Sequence, residues 1–208
     1  MTPGTGLQEE IEALPKERRL EIVGRVHLWE DRLRECNAIL HMALKANASR
    51  AANAERVAAG DLSVLDNSRP FPNDSELFNL GRRYLPMLAT VIFCTILKSP
   101  GDPDPGKVAG NREDLLNRIR EDLFARAFPR AEKRGAFDQL AKRLLEIRHE
   151  ILAHVAGKAA GMELVGSDGL GSYNMMAGPT EAEFLRLHAF AGDLRNAIHG
   201  HPAYVTPG

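Results

Sequence analysis

Aromatic residues are scarce in this chain, at 6% of 208 residues. Ala, Leu, Arg and Glu dominate instead, and these side chains favour helices. Cysteine is nearly absent. Cys36 and Cys94 lie far apart in apolar helical contexts, and no C-x-x-C occurs. That excludes a disulfide framework and a Cys-rich structural zinc site, and predicts buried free thiols. Net charge is also lacking, at −1 with a pI near 6.7. A protein coated with positive charge for wholesale nucleic-acid binding is thereby excluded, although a local basic groove is not. The longest apolar run, Tyr84 to Leu97, falls short of the ~20 residues that span a bilayer. The N-terminus lacks the basic-then-apolar order of a signal peptide, so the expected location is the cytoplasm. No period of 20–50 residues repeats, which rules out a solenoid.

The remaining composition, 44% apolar and 26% charged, is that of a globular protein. The pattern predicts one all-α domain over 1–208, a bundle of about five helices. Its core spans about 15–200, between a disordered N-terminal lead and a C-terminal tail. A short helix is expected in "LQEEIEAL", then a long one from Pro15 to about Ala59 that stops at Gly60. Leu20, Val23, His27, Leu28, Asp31, Leu33, Cys36, Leu40 and Leu44 sit near helical spacing along it. Asn73 and Glu76 resemble a capping box opening the next helix, which runs to about Lys98, with Pro86 a kink or the real first turn. "SPGDPDPG" is a break, Asn111 caps a helix that Pro129 ends, and a fourth major helix covers "RAEKRGAF…AHVAGKAA", with Gly135 a candidate interruption. The glycine-rich stretch 161–178 is a loop without a G-K-[ST] element. Thr180 and Glu183 form a second capping box before the last helix.

The stretch "LLEIRHEILAHVAGK", 144–158, carries the main chemical signal. With Leu144 at zero and about 100° per residue, Leu145, Ile147, Ile151, Leu152 and Val155 form an arc near 20°, with Arg148 in its middle at about 40°. A guanidinium cannot be buried there unpaired. It must snorkel to solvent, pair with a carboxylate of another helix, or face a cleft or interface where a phosphate meets it.

Arg148, His149, a short spacer and His154 match the motif of the HEPN superfamily (higher eukaryotes and prokaryotes nucleotide-binding). "LLEIRHEILAH" resembles the corresponding helix of its abortive-infection, AbiU-like branch. The order of a long first helix, an apolar second, a DP-rich break and a capped third is similar over about residues 20–160, with about a dozen residues matching in detail. The resemblance implies a helical bundle that forms a homodimer, with paired motifs lining one composite cleft. It also implies a toxin-type, metal- and cofactor-independent endoribonuclease acting on RNA and restrained by an antitoxin or other regulatory partner. His154 would be the base or acid, Arg148 the clamp on the phosphorane, and His149 a positioning or second proton-transfer group. Histidine titrates near neutrality and arginine holds its charge, which suits cleavage by a neighbouring 2′-hydroxyl. Arg148 and His154 lie about 120° apart on a helix, so a second subunit's copy is expected to close the gap. Members modified by a nucleotidyltransferase carry a tyrosine two residues after the motif histidine. Ala156 stands there, which argues against that subtype.

Lys142 and Arg143 belong to a basic cluster (with Arg126, Arg130, Lys133 and Arg134) next to this motif, either RNA contacts or a solvated face. In the last helix His188, Arg195 and His199 lie on or close to the apolar stripe Phe184, Leu187, Ala191, Leu194 and Ile198, with Gly192 leaving room between them. "RNAIHGH" there loosely echoes the same motif. This set either joins the substrate site or caps the helix C-terminus. His149 and His154 are five apart and His199 and His201 two apart; neither is the i, i+4 pair of a helical metal site, so no metal ligands are assigned. The alternative to an RNase is a non-catalytic bundle that binds a nucleotide, an RNA or a protein through Arg148.

Overall fold

The computed structural model describes the backbone of residues 5–65, 81, 84–97, 111–155 and 179–204; the side chains of 5, 65, 111–114 and 150–155 lie outside this description. The described residues form six α-helices and two short 3-10 turns, with no strand. The Asn73 capping box, the "SPGDPDPG" break, the glycine-rich loop 161–178 and the side chain of His154 fall outside the described residues.

Helix α1 (Thr5–Glu12) leads into α2 (Lys16–Ala58), the long central helix. Gly60 stops α2 as the spacing predicts. It adopts φ +90°, a left-handed conformation that suits glycine. Its N–H donates to Val57 O, and Asp61 N–H donates back to Arg56 O, so two terminal carbonyls gain donors in a Schellman arrangement. Asp61 then ties the turn together, accepting from the Ser63 backbone and hydroxyl and from Arg56 Nε and Nη2.

Helix α3 (Leu85–Leu97) is apolar all round and packs along α2 and α5. Pro86 stands in the first turn of this α-helix, which begins directly after Tyr84, a residue in π-helical conformation. Helix α4 (Asn111–Ala127) lies on α6 (Glu181–His199), and α5 (Ala131–Val155) runs unbroken through Gly135. The capping box of α6 is present: Glu183 N–H donates to Thr180 Oγ1, and Thr180 N–H donates to Glu183 Oε2.

The buried seam of α2 is Ile22, Val26, Trp29, Leu33, Cys36, Leu40 and Ala43. Leu20 and Leu28 are about half exposed, so the leucines of α2 divide between two faces. Phe124, Phe128, Phe137 and Phe190 close one corner of the core, with ring centroids 4.3–5.8 Å apart. Cys36 and Cys94 are buried free thiols, and Cys36 Sγ donates to Ala89 O. No described helix is long and apolar enough to cross a membrane.

Candidate functional site around helix α5

The inward face of α5 is set by Phe137, Leu140, Leu144 and Ile147, all buried. These four centre near 340° on the wheel that placed Leu144 at zero, so Arg148 stands about 60° from the centre. Ile151, Leu152 and Val155, three of the five residues that set the expected arc around Arg148, have side chains outside the described residues; against the described N-terminal part of the face Arg148 is half-buried. Arg148 forms no ion pair with a described carboxylate. The structural pairing that would have consumed it is absent among the described residues.

A cleft of about 790 Å³ lies between α5, α4 and the end of α3. Leu97, Phe124, Phe137, Ala141 and Leu145 form its floor. Arg120, Arg134, Lys142 and His149 supply basic groups, and Glu121, Asp138 and Glu146 supply acids. Arg134 is pinned by Glu121 and Asp138 and stacks over Phe124 and Phe137. Arg120 donates to Leu97 O, while its buried Nε has no partner. His149 and Lys142 are exposed and in no ion pair among the described residues. A phosphate entering this cleft therefore meets Lys142 and His149; Arg148 is not among the lining residues.

Much of the basic cluster is neutralised by acids on the same helix or on neighbouring ones. Arg126 pairs with Asp122, Lys133 with Asp193, and Arg134 with Glu121 and Asp138. Arg143 does not line the cleft and lies 3.8 Å from both Glu146 and Glu183. Only Lys142 of the two residues flanking the motif lines the cleft with His149.

The α6 residues form a separate constellation. Phe184, Leu187, Ala191, Leu194 and Ile198 are buried as one stripe. A Cβ at Gly192 meets nothing within 4 Å, so room exists beside it. Arg195 donates through Nε (3.1 Å) and Nη2 (2.9 Å) to Oε1 of Glu30, a buried carboxylate on α2. His199 Nε2 lies 3.5 Å from the same oxygen. His27 Nε2 donates to Tyr204 O, and the two rings stack at 4.4 Å. His188 is half-buried and belongs to neither the cleft lining nor the Glu30 cluster. Arg195 and His199 thus join α6 to α2, away from the α4–α5 cleft. Glu30 was missed in the sequence because nothing local marks one acid of a charged helix as inward-facing.

Next to this cluster, His201 is buried at 2% exposure. Its Nδ1 accepts from Ala203 N–H, so the ring proton belongs on Nε2, 3.2 Å from Asp122 Oδ2 but out of line for a good hydrogen bond. Burial pulls its pKa below the ordinary histidine value, Asp122 opposes that shift, and Arg126 adds to it. No three His, Cys, Asp or Glu side chains converge as metal ligands among the described residues. No protein-family model, curated protein or solved structure matches the chain.

Proposed function

We propose that this chain is a HEPN-like, metal-independent endoribonuclease of abortive-infection type, acting on RNA bound in the α4–α5 cleft. The observation that carries the reading is Arg148: a half-buried arginine with no carboxylate partner among the described residues, next in sequence to His149, which lines a cleft together with Lys142. Such a group suits a dianionic phosphorane, because a guanidinium donates two parallel bonds and never loses its charge.

In the proposed reaction the 2′-hydroxyl oxygen attacks the adjacent phosphorus and the bond to the 5′-oxygen breaks. A 2′,3′-cyclic phosphate and a 5′-hydroxyl result. One imidazole takes the 2′ proton and another group returns a proton to the leaving oxygen. His149 and His154 are the assigned proton carriers, Arg148 clamps the non-bridging oxygens, and Lys142 holds a flanking phosphate. A homodimer supplies the second Arg–His set.

The acids in the cleft favour a second reading. Glu121, Asp138 and Glu146 repel a run of phosphates. A bundle that binds a nucleotide or RNA end without turnover fits that mixed lining. Total RNA incubated in EDTA with wild type, Arg148→Ala and His154→Ala separates the two. Cleavage leaving 2′,3′-cyclic phosphate ends, lost in both variants, supports the nuclease. Binding without cleavage by folded wild type supports the module.

A further inference from the structure

A second concavity, of about 450 Å³, lies between the first turns of α2 and the start of α4, remote in sequence from the Arg148 motif. Its floor is Leu14, Ile22, Leu28, Leu115 and Leu116. The volume falls within the ~300–1,000 Å³ of small-molecule sites, and an apolar floor with a few polar groups at the rim is the usual make-up of such a site. Leu28 remains 41% exposed here, so the described helices leave this apolar surface open to solvent.

The rim is not neutral. Arg18 and Arg25 stand there against one acid, Glu21. Arg25 is exposed and enters no ion pair among the described residues. Arg18 reaches Glu21 at 3.2 Å across one helical turn, with both side chains about half exposed. Such a surface pair is weak, so Arg18 can turn to another anion at little cost. An apolar trough under two guanidiniums and one carboxylate matches a molecule with a hydrocarbon tail and an acidic head.

We propose that this pocket is a binding site for a free medium-chain fatty acid, its tail on Leu14, Ile22, Leu28, Leu115 and Leu116 and its carboxylate on Arg25 and Arg18. Gly24 provides the means to block it. It lines the pocket, it is exposed, and a Cβ built on it meets nothing within 4 Å. A larger side chain there enters the trough without striking the fold. Replacing a mid-helix glycine also favours the helix.

The test is isothermal titration of the full chain at pH 7.4 with octanoate, decanoate and dodecanoate below their micellar concentrations. Saturable 1:1 binding is expected, tightening about fourfold per added methylene until the trough is full. Decanol, which lacks the charge, should bind at least about tenfold more weakly than decanoate. Arg25→Ala should weaken decanoate by about tenfold and leave decanol unchanged. Gly24→Leu should abolish binding while keeping the helical circular dichroism of the wild type; Arg25→Ala, a surface change, remains decisive if that variant does not fold. Three results overturn the proposal: no saturable heat from any acid, equal affinity for decanol and decanoate, or unchanged binding in Gly24→Leu and Arg25→Ala. A wild-type dimer by light scattering that Gly24→Leu makes monomeric, with no acid bound to either, also overturns it and assigns the face to a second copy. None of these readouts depends on RNA cleavage.

Discussion

Removing the carboxylate of Glu30 tests whether the α2–α6 seam is a structural clamp or part of a substrate site. Two charge-assisted hydrogen bonds from Arg195 converge on Glu30 Oε1, at 3.1 and 2.9 Å. The Glu30 side chain is 8% exposed and that of Arg195 is 29% exposed. Breaking a fully buried pair by deleting one partner costs about 3–5 kcal/mol, whereas exposed pairs are worth about 0.2–1 kcal/mol. Arg195 keeps access to water and can be rehydrated, so Glu30→Ala is expected to lose about 2 kcal/mol. For a chain of this size that lowers Tm by roughly 4–8 °C. Urea unfolding of Glu30→Ala, Arg195→Ala and the double variant gives the coupling directly. A coupling of about 1 kcal/mol or more is expected. Additivity within about 0.3–0.5 kcal/mol would show that the two residues do not support each other, and would refute the clamp. RNA cleavage measured on the same variants, well below their melting temperatures, separates the roles. A clamp leaves the rate near that of wild type. Arg195 acting on substrate would instead lower the rate in Arg195→Ala while Glu30→Ala kept it.

Burial, with Cys94 and Glu35 adding to it, pushes the Cys36 thiol up to about 12, so a thiol reagent at pH 8 should leave Cys36 unmodified until denaturant is added; rapid labelling of native protein, read by mass spectrometry, would contradict its burial. His201 has a folded pKa below the ordinary 6.5, so it stabilises the fold fully above pH 6.5 and that contribution is lost as pH falls from 6.5 towards the folded value. Its loss has a limiting slope of about 1.4 kcal/mol per pH unit, visible in unfolding curves between pH 7 and 5 and absent in His201→Gln. Asp61 is held down to about 2 by Ser63 and Arg56, so its contribution to the α2 terminus is full above pH 3.8 and fades between pH 4 and 2, an acid loss in unfolding curves that Asp61→Asn should lack. Gly81 packs against α2, where an added Cβ would strike Asn47 Oδ1 and crowd Ala43 O. Gly81→Val should therefore cost about 1–3 kcal/mol in urea unfolding.

Local signals were the legible part of this fold. The α6 stripe and its Thr180–Glu183 box lie within a few residues of each other, so period and cap identify them together. Gly60 and Pro86 act through backbone constraints that need no distant partner. Helical phase was less legible. Along α2, Leu20 and Leu28 face outward while Glu30 faces inward, because Arg195, 165 residues away, supplies the charge that makes burial of Glu30 tolerable. The basic cluster misled in the same way, since Glu121, Asp193 and Glu183 approach it from other helices.

These cases meet in the two segments that share an arginine, a polar neighbour and a following histidine. In "RNAIHGH" the arginine is held by Glu30, the first histidine leans on the same oxygen, and the second lies buried with Nδ1 accepting a backbone N–H. Each group there already has a task within the fold. In "RHEILAH" Arg148 has no carboxylate among the described residues, and His149 opens onto a cleft. The letters alone do not separate these segments. What separates them is an inward-facing acid on the opposing helix, present for Arg195 and missing for Arg148 among the described residues. An arginine without such a partner keeps its electrostatic demand for an incoming anion, so under the proposed function Arg148→Ala, rather than Arg195→Ala, is the variant expected to abolish RNA cleavage.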